Sequence, residues 1–104
     1  MSGIKKSNQF QKLENEITGL ASLYFQALTL VKGNSLLTRH HNLINTIREA
    51  YASLSSEERT IINNEFFYQK YPFWWKSTYS SSVFMKLKLK SMSHFLEEFY
   101  NEAI

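Results

Sequence analysis

The chain has 104 residues, of which 43% are hydrophobic and 15% aromatic, and its net charge is +3. This length and apolar content suit one domain, residues 1–104, with a small core rich in aromatic rings. The absence of cysteine excludes a disulfide framework, a thiolate metal site and a cysteine nucleophile, and it favours a cytoplasmic location. No apolar run approaches the ~20 residues of a membrane-spanning helix, so we expect no membrane partner.

The first half of the chain carries the pattern of two long helices. Only three glycines and one proline occur in the sequence, which indicates long helices rather than many turns. Apolar residues recur every three or four positions over residues 7–32 and again over 35–53. Gly33 and Asn34 separate these segments by a short connection. The pattern therefore predicts an antiparallel helical hairpin in residues 1–53.

Start and stop signals divide the second half of the chain into three further helices. Ser55 followed by Glu58 forms a capping box, in which each side chain satisfies a backbone amide of the other residue. Pro72 cannot continue the helix that this box begins, but it suits the first turn of another. Ser80 can cap the last helix. The three predicted helices cover residues 56–69, 72–77 and 81–101. No strand pattern is present, so we predict an all-α bundle of four to five helices.

Aromatic and apolar residues indicate which face of the last helix is buried. The predicted inner face carries Phe84, Leu87, Ser91, Phe95 and Phe99. Trp74 and Trp75 are adjacent, so both can hardly point into one core. We expect one tryptophan to pack against Phe66 and Phe95 and the other to be partly exposed.

The positive charge is concentrated in the last third of the chain. No acidic residue occurs between Phe66 and Leu96, and this stretch contains Lys70, Lys76, Lys86, Lys88 and Lys90. A basic block in a chain of otherwise balanced charge indicates an anionic partner. A solvated lysine face is the simpler explanation of the charge taken alone.

The sequence contains no pattern for catalysis or metal binding. It has no aspartate, and Glu14 and Glu16 point to different faces of their predicted helix. His40 and His41 diverge by about 100° on a helix and cannot bind one metal ion together. There is no glycine-rich phosphate loop, and the serines lack a base partner. We therefore expect the protein not to be an enzyme and to need no cofactor or metal.

The order of the elements after residue 54 is that of a helix-turn-helix unit, which we assign to residues 54–104. A capped helix and a short helix are followed by a tight turn and a basic helix entered through serines. In such units the last helix lies in the major groove of DNA, and its first residues meet the base edges. Lysines on that helix would contact phosphates. The candidate DNA-contacting residues are Ser81, Ser82, Met85, Lys86, Lys90, Lys88 and Lys76.

These residues also form a pattern known from a protein family. The pattern has a leucine, a run of the type S-x-E-E-R-x-I-I, a short helix with tryptophan, a Y-S-x-S-x-F turn and a helix rich in K-L-K. The matching residues are Leu54, Ser56, Glu58, Arg59, Ile61, Ile62, Trp74, Trp75, Tyr79, Ser80, Ser82, Phe84 and the run KLKLKSMSHFL from Lys86. Residues 54–99 thus resemble region four of bacterial sigma factors, and more closely the ArpU/RinA-type regulators of phages and low-GC Gram-positive bacteria.

The resemblance implies a transcriptional regulator that binds duplex DNA, with RNA polymerase as a further partner. It places the base-reading positions on Ser81, Ser82, Met85 and Lys86. The first two helices would then form a packing or interaction module.

The alternative is a helical module that binds another protein and keeps only the helix-turn-helix fold. The run FWWK stands where the family's short helix has small residues, and the last helix contains no arginine. Trp74, Trp75 and Leu89 are the candidate partner-binding residues, because exposed aromatic and apolar side chains are common at the centre of protein interfaces. Association of two copies of the chain also stays open.

Overall fold

The computed structural model describes residues 7–33 and 38–103, and within them it contains helices and turns and no strand. The all-α fold predicted from the sequence is confirmed. These described residues form four α-helices, and a short π-helix, Asn63–Phe67, directly follows the third of them. The α-helices are α1 Asn8–Gly33, α2 Thr38–Ala52, α3 Ser56–Ile62 and α4 Ser81–Ala103.

The predicted helix starts are present as hydrogen bonds. The Ser55 hydroxyl accepts from the Glu58 amide at 3.2 Å, and the Glu58 carboxylate accepts from the Ser55 amide at 2.9 Å, so the capping box is complete. The Ser80 hydroxyl accepts from the Val83 amide at 3.3 Å at the start of α4. These side chains satisfy backbone amides that have no partner within the helix.

The core lies where α1, α2, α4 and the π-helix face one another. The buried apolar residues of this cluster are Phe10, Ile17, Tyr24, Ala27, Ile44, Ile47, Ala50, Leu54, Ile62, Phe66, Met92, Phe95, Leu96 and Phe99. The predicted inner face of α4 is confirmed for Phe84, Ser91, Phe95 and Phe99, which are buried, whereas Leu87 is only half-buried. Burial of this apolar surface is the main force that holds the helices together.

Helices α1 and α2 contact each other as two arms of a hairpin do. The Arg48 Nε donates to the Tyr24 hydroxyl at 3.1 Å. These two residues lie at similar distances along the chain from the connection between the helices, as an antiparallel arrangement requires. The predicted connection at Asn34, together with residues 35–37 of the second predicted helix, lies outside the described residues.

The prediction of one regular α-helix over residues 56–69 is wrong in its second half. The α-helix ends at Ile62 and widens into the π-helix Asn63–Phe67, after which the chain leaves the helix at Tyr68. A π-helix turns less per residue than an α-helix. The widened turn buries Phe66, half-buries Phe67 and leaves Glu65 able to reach α4.

The predicted short helix over residues 72–77 is also wrong, because this segment forms a series of turns. Phe73 has φ 62°, a left-handed conformation that interrupts a right-handed helix. The turns bring both neighbouring tryptophans onto one side: the Trp74 indole donates to Glu65 at 2.7 Å and Trp75 stacks on Phe84. The helix-turn-helix expected from the sequence therefore lacks its short helix.

Candidate functional site

The outward face of α4 is a polar and basic stripe. Ser82, Lys86 and Lys90 recur every four residues, and all three side chains are exposed. Residues four apart lie on one face of a helix. Among the residues that the structure describes, Lys86 and Lys90 form no ion pair within 4.0 Å. The two ammonium groups are thus available to an anion from solution.

Lys88 occupies an entirely different position from the one predicted for it. It is only 7% exposed, and its Nζ forms ion pairs with Glu14 at 2.8 Å and with Glu65 at 2.7 Å. The rings of Phe10 and Phe66 lie 5.6 and 5.2 Å from the same nitrogen. Lys88 therefore belongs to an internal ion cluster, and we leave it out of the candidate contact surface.

Glu65 is the hub that connects this ion cluster to the turns before α4. Its Oε1 accepts from Lys88, and its Oε2 accepts from the Trp74 indole at 2.7 Å. Both carboxylate oxygens are thereby occupied. The carboxylate that precedes the basic stretch in the sequence is neutralised inside the protein, so it does not compete for Lys86 or Lys90.

Met85 and Leu89, which the sequence analysis expected on the outer side of α4, are partly buried and pack against the core. Both therefore present only part of their side chains to solvent, beside the stripe of Lys86 and Lys90. Val83 is the one large apolar side chain of the first two turns of α4 that is exposed.

The two tryptophans are half-buried and share one partner, Phe84. Trp75 stacks parallel to that ring with centroids 4.4 Å apart, and Trp74 approaches it edge-on at 5.7 Å. The expectation that one tryptophan packs against Phe66 and Phe95 is wrong. These contacts close the start of α4 against the turns. The same contacts cover much of the surface of Trp74 and Trp75 that would have to be exposed if these residues bound another protein.

Exposed aromatic residues that sequence reasoning did not single out flank the tryptophans. Tyr71 is 71% exposed and Phe73 is 64% exposed, and the Lys76 ammonium lies 5.6 Å from the Phe73 ring. Lys70 and Lys76 are exposed as well. The only signal in the sequence was the alternation of aromatic and basic residues, which does not distinguish an inward from an outward ring.

Two carboxylates in the first turn of α3 have partners of their own. Glu57 accepts from the Tyr79 hydroxyl at 2.5 Å, and this hydrogen bond raises the pKa of Tyr79. Glu58 is buried, which raises its pKa, but hydrogen bonds from Ser55 and from His94 at 2.9 Å outweigh burial and hold the pKa below its usual value. Glu58 is therefore ionised at neutral pH, and its charge is directed at His94.

Within residues 7–33 and 38–103 no three acidic, histidine or cysteine side chains come together as a metal site. In the same residues, none of the helices combines the length and the apolar character that crossing a bilayer demands.

The fold and the site define a small all-α bundle with one exposed, basic helix face. Comparison with protein-family models, with curated proteins and with solved structures finds no match to this chain. Any functional conclusion must therefore come from the chain's own residues.

Proposed function

We propose that the protein binds duplex DNA through the outward face of α4, as a regulator of transcription would. The observation that carries the proposal is the stripe of Ser82, Lys86 and Lys90, which is exposed and lies in a stretch of 31 residues, 66–96, without a carboxylate. Lysines that neutralise phosphates supply affinity for DNA by releasing bound counterions.

The position of the stripe at the start of α4 supports contact with a groove. The first turn holds Ser81 and Ser82, whose exposed hydroxyls can donate to or accept from a base, and Val83, whose methyl groups can contact a thymine methyl. Lys86 and Lys90 follow one and two turns later. Lys76, exposed on the turns before the helix, supplies a further phosphate contact.

The charge on the exposed face of α4 changes from positive to negative along the helix. Glu97 is exposed and lies about two turns beyond Lys90 on the same side of the helix. Negative charge at that end repels a phosphate backbone. The proposed contact therefore covers the N-terminal half of α4, which is the half that the helix-turn-helix resemblance also implies.

The alternative, a module that binds another protein, loses support where the sequence analysis placed it. Leu89 packs inward, and Trp74 and Trp75 cover Phe84. What remains in its favour is the exposure of Tyr71 and Phe73. These rings stand beside the exposed lysines Lys70 and Lys76, so we rank DNA binding first. Binding rather than catalysis, and a cytoplasmic location, are parts of the same proposal.

The test is a titration of a short AT-rich duplex into the protein at several salt concentrations. The double variant Lys86→Ala/Lys90→Ala should lower the magnitude of the log-log salt slope by about 2, since each phosphate contact contributes about 0.9. The charge-matched control is Lys12→Ala/Lys32→Ala, which removes two exposed lysines of α1. That control should leave the slope unchanged.

Two outcomes would overturn the proposal. The first is the absence of salt-dependent binding even at low salt. The second is an equal loss of slope in the control pair, which would mean that net charge rather than the face of α4 drives binding. Either outcome would leave the exposed rings of Tyr71 and Phe73 as the better guide to function.

Sequence preference gives a separate readout of the same surface. Ser82→Ala should change the ratio of affinities between duplexes of different sequence while leaving the salt slope intact, because a serine carries no charge. Ser93→Ala, an exposed serine further along α4, is its control. An unchanged ratio for Ser82→Ala would exclude base contact by this residue.

A further inference from the structure

A pocket of about 230 Å³ opens on the side of the bundle formed by α1, α2 and the π-helix. Its lining is mostly aromatic and aliphatic, with one arginine and one asparagine. The lining residues are Tyr24, Ile47, Arg48, Tyr51, Asn63, Phe67 and Tyr68. None of these residues belongs to the basic stripe of α4.

The walls of the pocket are held in place by the core. Ile47 and Tyr24 are buried, and the Phe67 ring meets the Tyr24 ring edge-on at 5.6 Å. Phe67 also packs edge-on against Phe95 of α4 at 6.1 Å. An apolar pocket with fixed walls is pre-formed, so a ligand that fills it does not have to order the protein.

Arg48 lines the pocket and has N–H groups that are not used in a hydrogen bond within the described part of the chain. Its Nε donates to the Tyr24 hydroxyl at 3.1 Å, and the guanidinium carbon lies 5.9 Å from the centre of the Tyr24 ring. Arg48 forms no ion pair with a carboxylate in the part of the chain that the structure describes. The two terminal nitrogens of Arg48 thus keep the fork that binds a carboxylate with two parallel hydrogen bonds.

The π-helix is an independent observation that points to the same place. Asn63 and Phe67, its first and last residues, both line the pocket. A π-helix is less stable than a regular α-helix and occurs frequently at functional sites. Here the widened turn places an amide side chain and a ring on one side of the chain, next to Arg48.

We propose that this pocket binds a small aromatic carboxylate, with its ring against the side chains of Tyr24 and Phe67 and its carboxylate on Arg48. The size fits one ring with a short acid chain, since an apolar cavity of about 150 Å³ holds benzene. The Asn63 side chain also lines the pocket. This inference does not depend on DNA binding, because the pocket and the basic stripe share no residue.

The experiment is a titration of isotope-labelled protein with 3-phenylpropionate, followed by NMR, with 3-phenylpropanamide as the uncharged probe of the same shape. Saturable shifts should centre on the amides of residues 24, 47, 48, 63 and 67. The amide probe should bind at least about tenfold more weakly, the loss expected for one charge-assisted hydrogen bond.

Variants separate the carboxylate contact from general effects. Arg48→Gln should bring the affinities of the two probes together, and Arg48→Lys should restore only part of the preference, because lysine keeps the charge but not the fork. Arg39→Gln, an exposed arginine earlier on α2, should leave the preference unchanged. Arg48 is exposed, so its replacement should not unfold the chain, and circular dichroism verifies this.

The proposal is overturned if neither probe gives saturable shifts at the pocket residues. It is equally overturned if both probes bind alike in the wild type, or if Arg48→Gln leaves the preference for the acid intact. The Arg48 variants should bind DNA as tightly as the wild type does. A failure of the pocket proposal can therefore be distinguished from a failure of the DNA-binding proposal.

Discussion

Two regions of α4 contain the same residue type and use it in opposite ways. Lys86 and Lys90 stand in solvent without an ion pair in the described part of the chain, whereas Lys88, between them in sequence, is buried against Glu14 and Glu65. Each residue of a helix is rotated by about 100° from the one before it, so a step of two reaches the opposite side. The net charge of a helix therefore predicts a binding surface only when its buried charged residues are left out of the sum.

The inward region differs from the outward one in what holds its charge. One lysine faces two carboxylates, and the Trp74 indole supplies the additional donor that Glu65 needs. Buried charges remain stable only when they are paired and hydrogen-bonded. The cluster joins α1, the π-helix, the turns and α4 at one point, so its role is to position the start of α4, on which the outward stripe lies.

The largest effect is expected on the inward side, at the centre of the core. Phe95 is fully buried, and Phe95→Ala should lower the free energy of unfolding by roughly 3–5 kcal/mol. Ser93→Ala, two residues away and exposed, should change it by less than about 0.5 kcal/mol. Urea denaturation measures both values. A loss of less than about 1 kcal/mol for Phe95→Ala would mean that the two faces of α4 are assigned the wrong way round.

The next effect separates the lysines themselves. Lys88→Met removes the counter-charge that Lys88 supplies to Glu14 and Glu65, and it should cost about 2–3 kcal/mol of unfolding free energy. This cost is somewhat less than for fully buried pairs because both carboxylates are partly exposed. Lys86→Met should cost less than about 0.5 kcal/mol. An equal loss of unfolding free energy in Lys88→Met and Lys86→Met would mean that the inward and outward lysines do not differ in their contribution to stability.

A second measurement tests the mechanism of that loss. If the cost of Lys88→Met comes from uncompensated carboxylates, adding Glu14→Gln and Glu65→Gln should recover a large part of the stability, since the charges are then removed together. The single variant Lys88→Met should also change the fluorescence of Trp74, whose indole donates to Glu65. A triple variant as unstable as Lys88→Met would point to lost packing instead.

The smallest effect is a pH dependence at the border between the two regions, where half-buried His94 meets Glu58. Glu58→Gln should cost about 1 kcal/mol at pH 7, because it removes the carboxylate of the capping box and the partner of His94. The folded-state pKa of Glu58 lies below its usual value of about 4.3, so its ionised form stabilises the fold above that pH and this contribution is lost as pH falls through the folded pKa.

The difference in stability between wild type and Glu58→Gln should therefore begin to shrink as the pH falls toward about 4.3, and it should shrink further through the lower folded-state pKa of Glu58, below which the carboxyl group is neutral as glutamine is. Denaturation curves recorded from pH 7 down to pH 3 measure this difference. Glu97→Gln, an exposed position on α4, should show little change across the range. A stability difference between wild type and Glu58→Gln that stays constant down to about pH 3 would mean that the charge of Glu58 does not stabilise the fold.

The sequence by itself determined the local features of this protein. Helix starts at Ser55 and Ser80 depend on side chains within three residues of the amides they cap, so a motif of four residues is sufficient to predict them. The spacing of apolar residues likewise predicted the buried face of α4 around Phe95. The outward position of Lys86 and Lys90 follows from the same period. For these elements the physical cause is short-range.

Only the tertiary structure decided the features that depend on distant partners. The helical period already places Lys88 on the same side as Phe84 and Phe95. Glu14 lies 74 residues from Lys88 along the chain and Glu65 lies 23 residues away, so no local pattern could reveal the carboxylates that pair with it. The turns at Phe73 replace the predicted helix because Trp74 and Trp75 gain contacts with Glu65 and Phe84 that outweigh the local preference. The pocket arises in the same way, since its walls come from three separate elements that meet only in the folded bundle.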